Sequence, residues 1–341
     1  MRRQSGIVLV VVIFFALLLT ATVATFSRIA LIDHMVVRNR DARARADALA
    51  RGGIRLAEVI LLEDKLGQQA DAPGRPKLDN TQDLWARVSG TTIPFEDGSS
   101  LRLDIQDAAA KLNLNAVVVV DDAGVVDAKS TELLLRLFAK VTEEMKLPRG
   151  EENAYDPAEL AANLIDYIDE DQQRQNGEPE DDAYQRRDPP TRPANRPLLS
   201  VDELRRVEGF DARLVDALRP YVTVYPFRGG GINPNTAPPY VLSLLFFDDE
   251  VELRLADPDT IRSILAIRKE GGFVCGEDQS GEGCTPIRSL VTNAIFPTPT
   301  YTSDIFTITA LAQVGDVARR IEVVLDRSEG SEPRLLSWRV L

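Results

Sequence analysis

IVLVVVIFFALLLTATVATF, residues 7–26, is the stretch on which the reading of this chain turns. It carries no charge, and its only polar side chains are the hydroxyls of Thr20, Thr22 and Thr25. As a helix this run is long enough to cross ~30 Å of hydrocarbon, and it exceeds the apolar part of an ordinary cleaved signal. Arg2 and Arg3 precede it, so the positive-inside rule keeps the first residues cytoplasmic. Arg38, Arg40, Arg43 and Arg45 beyond it weaken that asymmetry. On hydropathy alone the stretch is a signal anchor.

Moving outward, the helical pattern does not stop at the membrane. Ala46, Leu49, Gly53, Leu56, Ala57 and Ile60 recur at three- and four-residue spacing up to Leu62, and Gly67 and Pro73 end the run. Residues 7 to 65 therefore read as one helix of ~90 Å, apolar all round in its first half and amphipathic in its second. Gly52 and Gly53 each cost about 1 kcal/mol inside a helix, which calls for close backbone packing. On the other side, the basic stub MRRQSG ends in Gly6 directly before the apolar run.

Farther along, Leu101, Leu103 and Ile105 alternate with polar residues as in a half-buried strand, and Val117 to Val120 is a short apolar run. Asp127, Asp156-Pro157, Ser200-Val201-Asp202-Glu203 and Asp257-Pro258 mark helix starts. Glu170 to Pro197 is an acidic, proline-rich loop. Ile305 to Leu311 and Ile321 to Leu325 alternate around Gly315-Asp316, the pattern of a hairpin, and Leu335 to Leu341 can supply a last strand.

With 341 residues there is length for two compact units, and the net charge of −13 argues against nucleic acid as the main partner. The single histidine, His34, follows the apolar segment; this excludes histidine metal clusters and Ser-His-Asp or Cys-His catalysis in a folded domain. No catalytic constellation stands out, and the chain reads as a non-enzyme. Cys275 and Cys284 flank a polar loop and read as one local disulfide in an oxidising compartment.

Eight carboxylates fall within seventeen residues: Asp166, Asp169, Glu170, Asp171, Glu178, Glu180, Asp181 and Asp182. Hard oxygen ligands at this density suit Ca²⁺, and Asp169, Asp171, Glu178, Glu180, Asp181 and Asp182 are the candidate ligands. The spacing is not that of an EF-hand, since Arg174 stands where that loop needs glycine. The plainer reading is a solvated acidic loop. VDELRRVEGFDARLVDAL has the rhythm of a helix-hairpin-helix, a fold that holds nucleic-acid phosphate on a Gly-hydrophobic-Gly turn. Here that turn is Glu208-Gly209-Phe210-Asp211, with acids where phosphate would sit.

Several of these stretches carry a resemblance. MRRQSG followed by IVLVVVIFFALLL looks like a signal cut by prepilin peptidase between Gly6 and Ile7. Most pilins have glutamate at the fifth mature residue, where this chain has Val11. Its absence, together with RNRDARARADALARGGIRLAEVILLED, DAAAKLNLNAV, LIDYIDEDQQ, LLSVDELRRVEGFDARLVDALRPYVTVYP and GGINPNTAPPYVLSLL in that order, resembles the type II secretion minor pseudopilin K family. The resemblance implies an α+β fold in which a pilin-like domain on a long transmembrane helix is interrupted by a mainly helical, helix-hairpin-helix or SAM-like insertion. The corresponding units are residues 1–6 (leader), 7–26 (transmembrane helix), 27–126 and 298–341 (pilin-like domain), and 127–297 (insertion). It further implies calcium in the acidic loop and a single-pass location in the inner membrane, with the bulk in the periplasm. The implied partners are minor pseudopilins of the I and J types, prepilin peptidase and the inner-membrane assembly platform. The implied role is a pseudopilus tip, with a DNA-uptake or type IV pilus minor pilin as the alternative.

Overall fold

The structure, a computed structural model, describes residues 5–70, 78–120, 126–146, 154–174, 179–186, 188–248, 253–277, 281, 283–291, 293–328 and 332–341. The leader residues 1–4 lie outside them. Helix α1, Ser5–Ala70, is continuous over 66 residues. From Ile7 to Asp41 it is exposed throughout. Beyond that point Ala46, Ala50, Ile54, Ala57 and Leu61 form a buried stripe at the spacing of one helix face. Helix α2, Leu84–Val88, follows, and then strands β1, Thr92–Pro94, and β2, Ser100–Asp107.

The α1 stripe packs on Leu101, Leu103 and Ile105 of β2. Gly53 is explained by that contact: a Cβ there would fall 2.8 Å from Leu101 Cδ1 and 2.9 Å from Leu103 Cδ2. Gly52 faces open space. Trp85 of α2 closes the core edge-on against Phe306, with ring centroids 5.0 Å apart.

A second core follows β2. Strand β3, Leu112–Asn113, leads to α3, Leu114–Val117, α4, Ala128–Glu144, α5, Pro157–Ile168, α6, Asp181–Gln185, and α7, Ala212–Leu218. Strand β4, Val222–Thr223, pairs in parallel with β3. After α8, Pro239–Leu242, strands β5, Phe246–Asp248, and β6, Leu253–Leu255, pair antiparallel. Helix α9, Pro258–Lys269, precedes β7, Phe273–Cys275, and β8, Cys284–Pro286, which pair in parallel and carry the Cys275–Cys284 disulfide. Helix α10, Ile287–Leu290, and β9, Ala294–Phe296, complete the segment, β9 pairing with β5.

Helices α4, α5 and α9 begin where aspartate side chains take a free amide of the first turn. Asp127 accepts from Lys129, Asp156 from Ala158, and Asp257 from Thr260. The Ser200 signal yields only a 3₁₀ turn over Val201–Arg206, with no cap from the serine side chain. Glu203 instead accepts from Leu199 N and Arg196, each at 2.8 Å, and from the Tyr167 hydroxyl at 3.3 Å. Small strands thus join the helices in a segment that the sequence pattern reads as mainly helical.

The chain then returns to the first sheet as β10, Ile305–Val314, β11, Val317–Asp326, and β12, Arg334–Val340. Its order is β1-β2-β10-β11-β12, antiparallel throughout, with Ile308 opposite Ile105. Gly315, at φ 58°, makes the β10–β11 turn.

Arg327, just past β11, is 4% exposed and binds Asp64 of α1 at 2.9 Å, Asp79, and the carbonyls of Leu61 and Ser303. It ties the end of the spine helix to the sheet. Asn233 and Asn235, fully buried, fasten the second core: Asn233 donates to Asp79 O and Asp107, and Asn235 exchanges two hydrogen bonds with Val274.

Candidate functional site

Helix α5 buries Leu160, Leu164 and Ile168 in the second core, so the chain leaves it with Asp166 and Asp169 turned inward, 7% and 5% exposed. The loop returns antiparallel through the Gln173–Pro179 bridge and brings Glu180, 1% exposed, beside them. One carboxylate oxygen each from Asp169, Asp171 and Glu180 lie within 4.8 Å of one another. Asp171 is exposed and closes the trio from the solvent side.

Three buried oxygens here have no hydrogen-bond partner: Asp169 Oδ1, Glu180 Oε1 and Asn195 Oδ1. Asn195 is held at φ 44°, a left-handed conformation that asparagine tolerates better than most residues. Its amide donates to Glu180 at 3.3 Å and to the Asp171 carbonyl, while its backbone N–H donates to Tyr167 O at 3.0 Å. Burial, and then the neighbouring charges of Asp171 and Asp166, push Asp169 up to about 7. Burial, and then Asp169, Asp166 and Asp171, push Glu180 up to about 8, against the hydrogen bond from Asn195. Orphaned hard oxygens that resist ionising together are the donor set a divalent cation of calcium size fits.

Asp181 lies outside the trio, 3.9 Å from Arg192. Glu178 and the side chain of Asp182 lie outside the described residues. Asn195 carries no charge and stands outside the run of acids, so nothing in the sequence pattern points to it.

The helix-hairpin-helix turn is occupied by its own acids. Asp211 caps α7 by accepting from Leu214 N at 2.8 Å and also receives the Tyr155 hydroxyl at 3.0 Å. Glu208 pairs with Arg174. Gly209 sits at φ 83°, and a Cβ there would meet Leu160 at 3.1 Å. The Leu214 amide is thus taken by the Asp211 carboxylate, and Phe210 N donates to Val207 O at 3.4 Å. On α1, Ile7 and Val11 are 67% and 45% exposed, and Gly6 lies in the first turns of the same helix.

A family model described as "Type II secretion system (T2SS), protein K" matches residues 110–227. The chain is 30% identical over 251 residues to type II secretion system protein K of Pectobacterium carotovorum, covering 72% of each protein. It is 27% identical to the protein of that name from Pseudomonas aeruginosa, covering 98% of this chain and 92% of the relative. Among solved structures, its fold matches that of a chain in the GspK-GspI-GspJ complex from enterotoxigenic Escherichia coli. The TM-score is 0.62 at 19% identity, covering 89% of this chain and 99% of the other.

Proposed function

The chain belongs to the type II secretion system protein K family, and from that premise we propose that it is the minor pseudopilin at the tip of a periplasmic pseudopilus. It joins I- and J-type pseudopilins there and starts assembly on the inner-membrane platform. The role is structural, with no reaction to catalyse. The observation that carries this reading is the second core, built from the chain that leaves the sheet after β2 and returns to it as β10, the neighbouring strand in the sheet that α1 packs on. A head of that bulk hinders another subunit from stacking above it. Val11 supports the same place: without a carboxylate it cannot pair with the terminal amine of a subunit already in the filament.

Gly6 and Ile7 flank the proposed cut by prepilin peptidase. Mass spectrometry of the membrane-extracted protein should give Ile7, N-methylated, as the first residue. For the tip, gold label on this subunit should mark one end of isolated pseudopili. Label spaced along the shaft would sink the proposal.

In the acidic loop Asp169, Asp171 and Glu180, with Asn195, would hold Ca²⁺. The ion would supply the positive charge that three crowded carboxylates lack. The chain's own part is to bury Asp169 at the end of α5, fold Glu180 back on it, and hold Glu180 and the Asp171 backbone through Asn195.

A further inference from the structure

Helix α1 stays exposed well past the uncharged stretch that ends at Phe26. Ile29, Leu31, Ile32, Met35, Val36 and Val37 are all large, apolar and between 41% and 64% exposed. From Ile7 to Val37 the helix rises ~46 Å at ~1.5 Å per residue. A bilayer with its headgroup layers is ~40–45 Å thick. The apolar surface of the helix therefore ends at about the outer limit of the headgroups, a layer that accommodates Arg28, Asp33 and His34.

Arg38, Arg40 and Arg43 come next, and all three are exposed. Their neighbour Arg45 pairs with Asp41 at 3.1 Å. Most arginines of the head are paired in the same manner, as Arg136 is with Glu132 at 2.7 Å and Arg219 with Asp202 at 2.6 Å. Among the described residues, Arg38, Arg40 and Arg43 have no carboxylate partner, in a chain with 53 acids against 40 bases. Arg43 also borders a recess of ≈ 360 Å³ with Asp316 and Arg319 at the β10–β11 turn. Basic residues this close to a span work against exporting the head, because positive charge favours the cytoplasmic side. Their presence on this side calls for a compensating contact.

We propose that Arg38, Arg40 and Arg43 form a collar that binds the phosphate groups of anionic phospholipids in the leaflet facing the head. The proposal rests on the reading of Ile7–Phe26 as the membrane span. Guanidinium groups suit this ligand because they bind phosphate oxygens through paired N–H donors. The collar steadies the head over the membrane while the subunit waits, and releases it when the spine is drawn out.

The test uses the detergent-solubilised full chain titrated with phosphatidylglycerol or phosphatidylcholine, with bound lipid read by native mass spectrometry. Wild type should prefer phosphatidylglycerol. At about fivefold per charge, R38Q/R40Q/R43Q should lose that preference about a hundredfold, whereas R38K/R40K/R43K keeps most of it. Equal retention by the glutamine variant and wild type would overturn the collar. So would competition by inorganic phosphate at the affinity of the lipid, which would make this a free-phosphate site. Unchanged lipid binding with lost co-purification of I- or J-type pseudopilins would reassign the arginines to a protein partner. Membrane fractionation separates the two readings: if wild type is recovered without membranes, it is the span that fails.

Discussion

Asp64, Asp79 and Asp83 bring their carboxylates as close together as Asp169, Asp171 and Glu180 do, within 4.8 Å. The two clusters solve the same electrostatic problem differently. At the end of the spine helix, Arg327 inserts a permanent cation, bound to Asp64 and Asp79 and lying 4.6 Å over the Phe306 ring. Gln68 adds hydrogen bonds to both acids at 3.2 and 3.1 Å. In the loop after α5, the charges that act on Asp169 are those of other acids, and buried oxygens stay unpartnered. The first cluster is a lock and the second fits a ligand. What separates them is the source of the counter-charge, since the density of acids is alike.

The harshest way to break this contrast is Arg327→Met. It leaves the carboxylates of buried Asp79 and partly buried Asp64 without their cation and should cost about 3–5 kcal/mol, read as a lower urea midpoint. Adding Asp64→Asn and Asp79→Asn to the same chain should recover much of the loss. Full stability of R327M alone would mean that the lock is misassigned.

The second cluster should answer to an ion instead. Calcium at about a hundredfold over its dissociation constant should stabilise the protein by about 2.7 kcal/mol, seen as a rise in melting temperature. D169N/D171N should lose that rise and D83N should keep it. An equal rise in all three proteins would erase the distinction between the clusters.

pH sharpens it further. A carboxyl whose folded pKa is raised holds its proton more tightly in the folded state, so ionising it removes stability. With Asp169 raised from 3.8 to about 7 and Glu180 from 4.5 to about 8, chelated protein should lose stability as pH climbs from about 4 to about 8. Saturating calcium should flatten that slope. Asp83, raised to about 7 chiefly by burial, should leave a residual slope that calcium does not touch. Melting temperatures across pH with calcium or chelator would show both components.

The smallest effect is that of Asn195→Ala. Losing its amide contacts should cost about 1 kcal/mol and weaken the calcium response without abolishing it. Calorimetric titration of the two proteins would measure the difference.

Much of the frame was legible along the chain. Spacing marked the spine through Leu62, alternation marked β2 and the β10–β11 hairpin, and aspartates marked the starts of α4, α5 and α9. The pairs β3–β4 and β7–β8 were not legible, because strands of two or three residues show no period. The acidic loop was conspicuous, but its trio was not: Asp181, next to Glu180 in sequence, turns to Arg192.

By itself the sequence determined whatever depends on neighbours a few residues apart. That covers the membrane-length helix, its amphipathic continuation, the helix starts, the hairpin and the acid-rich loop, because backbone hydrogen bonds and side-chain periodicity act over that range. Tertiary structure alone decided which acids are locked and which are left open. Arg327 reaches Asp64 across 263 residues, and nothing beside either one announces the other. The same holds for the two glycines at 52 and 53, identical in sequence. Only the packing of Leu101 and Leu103 against one of them separates a glycine that the core requires from one that faces open space.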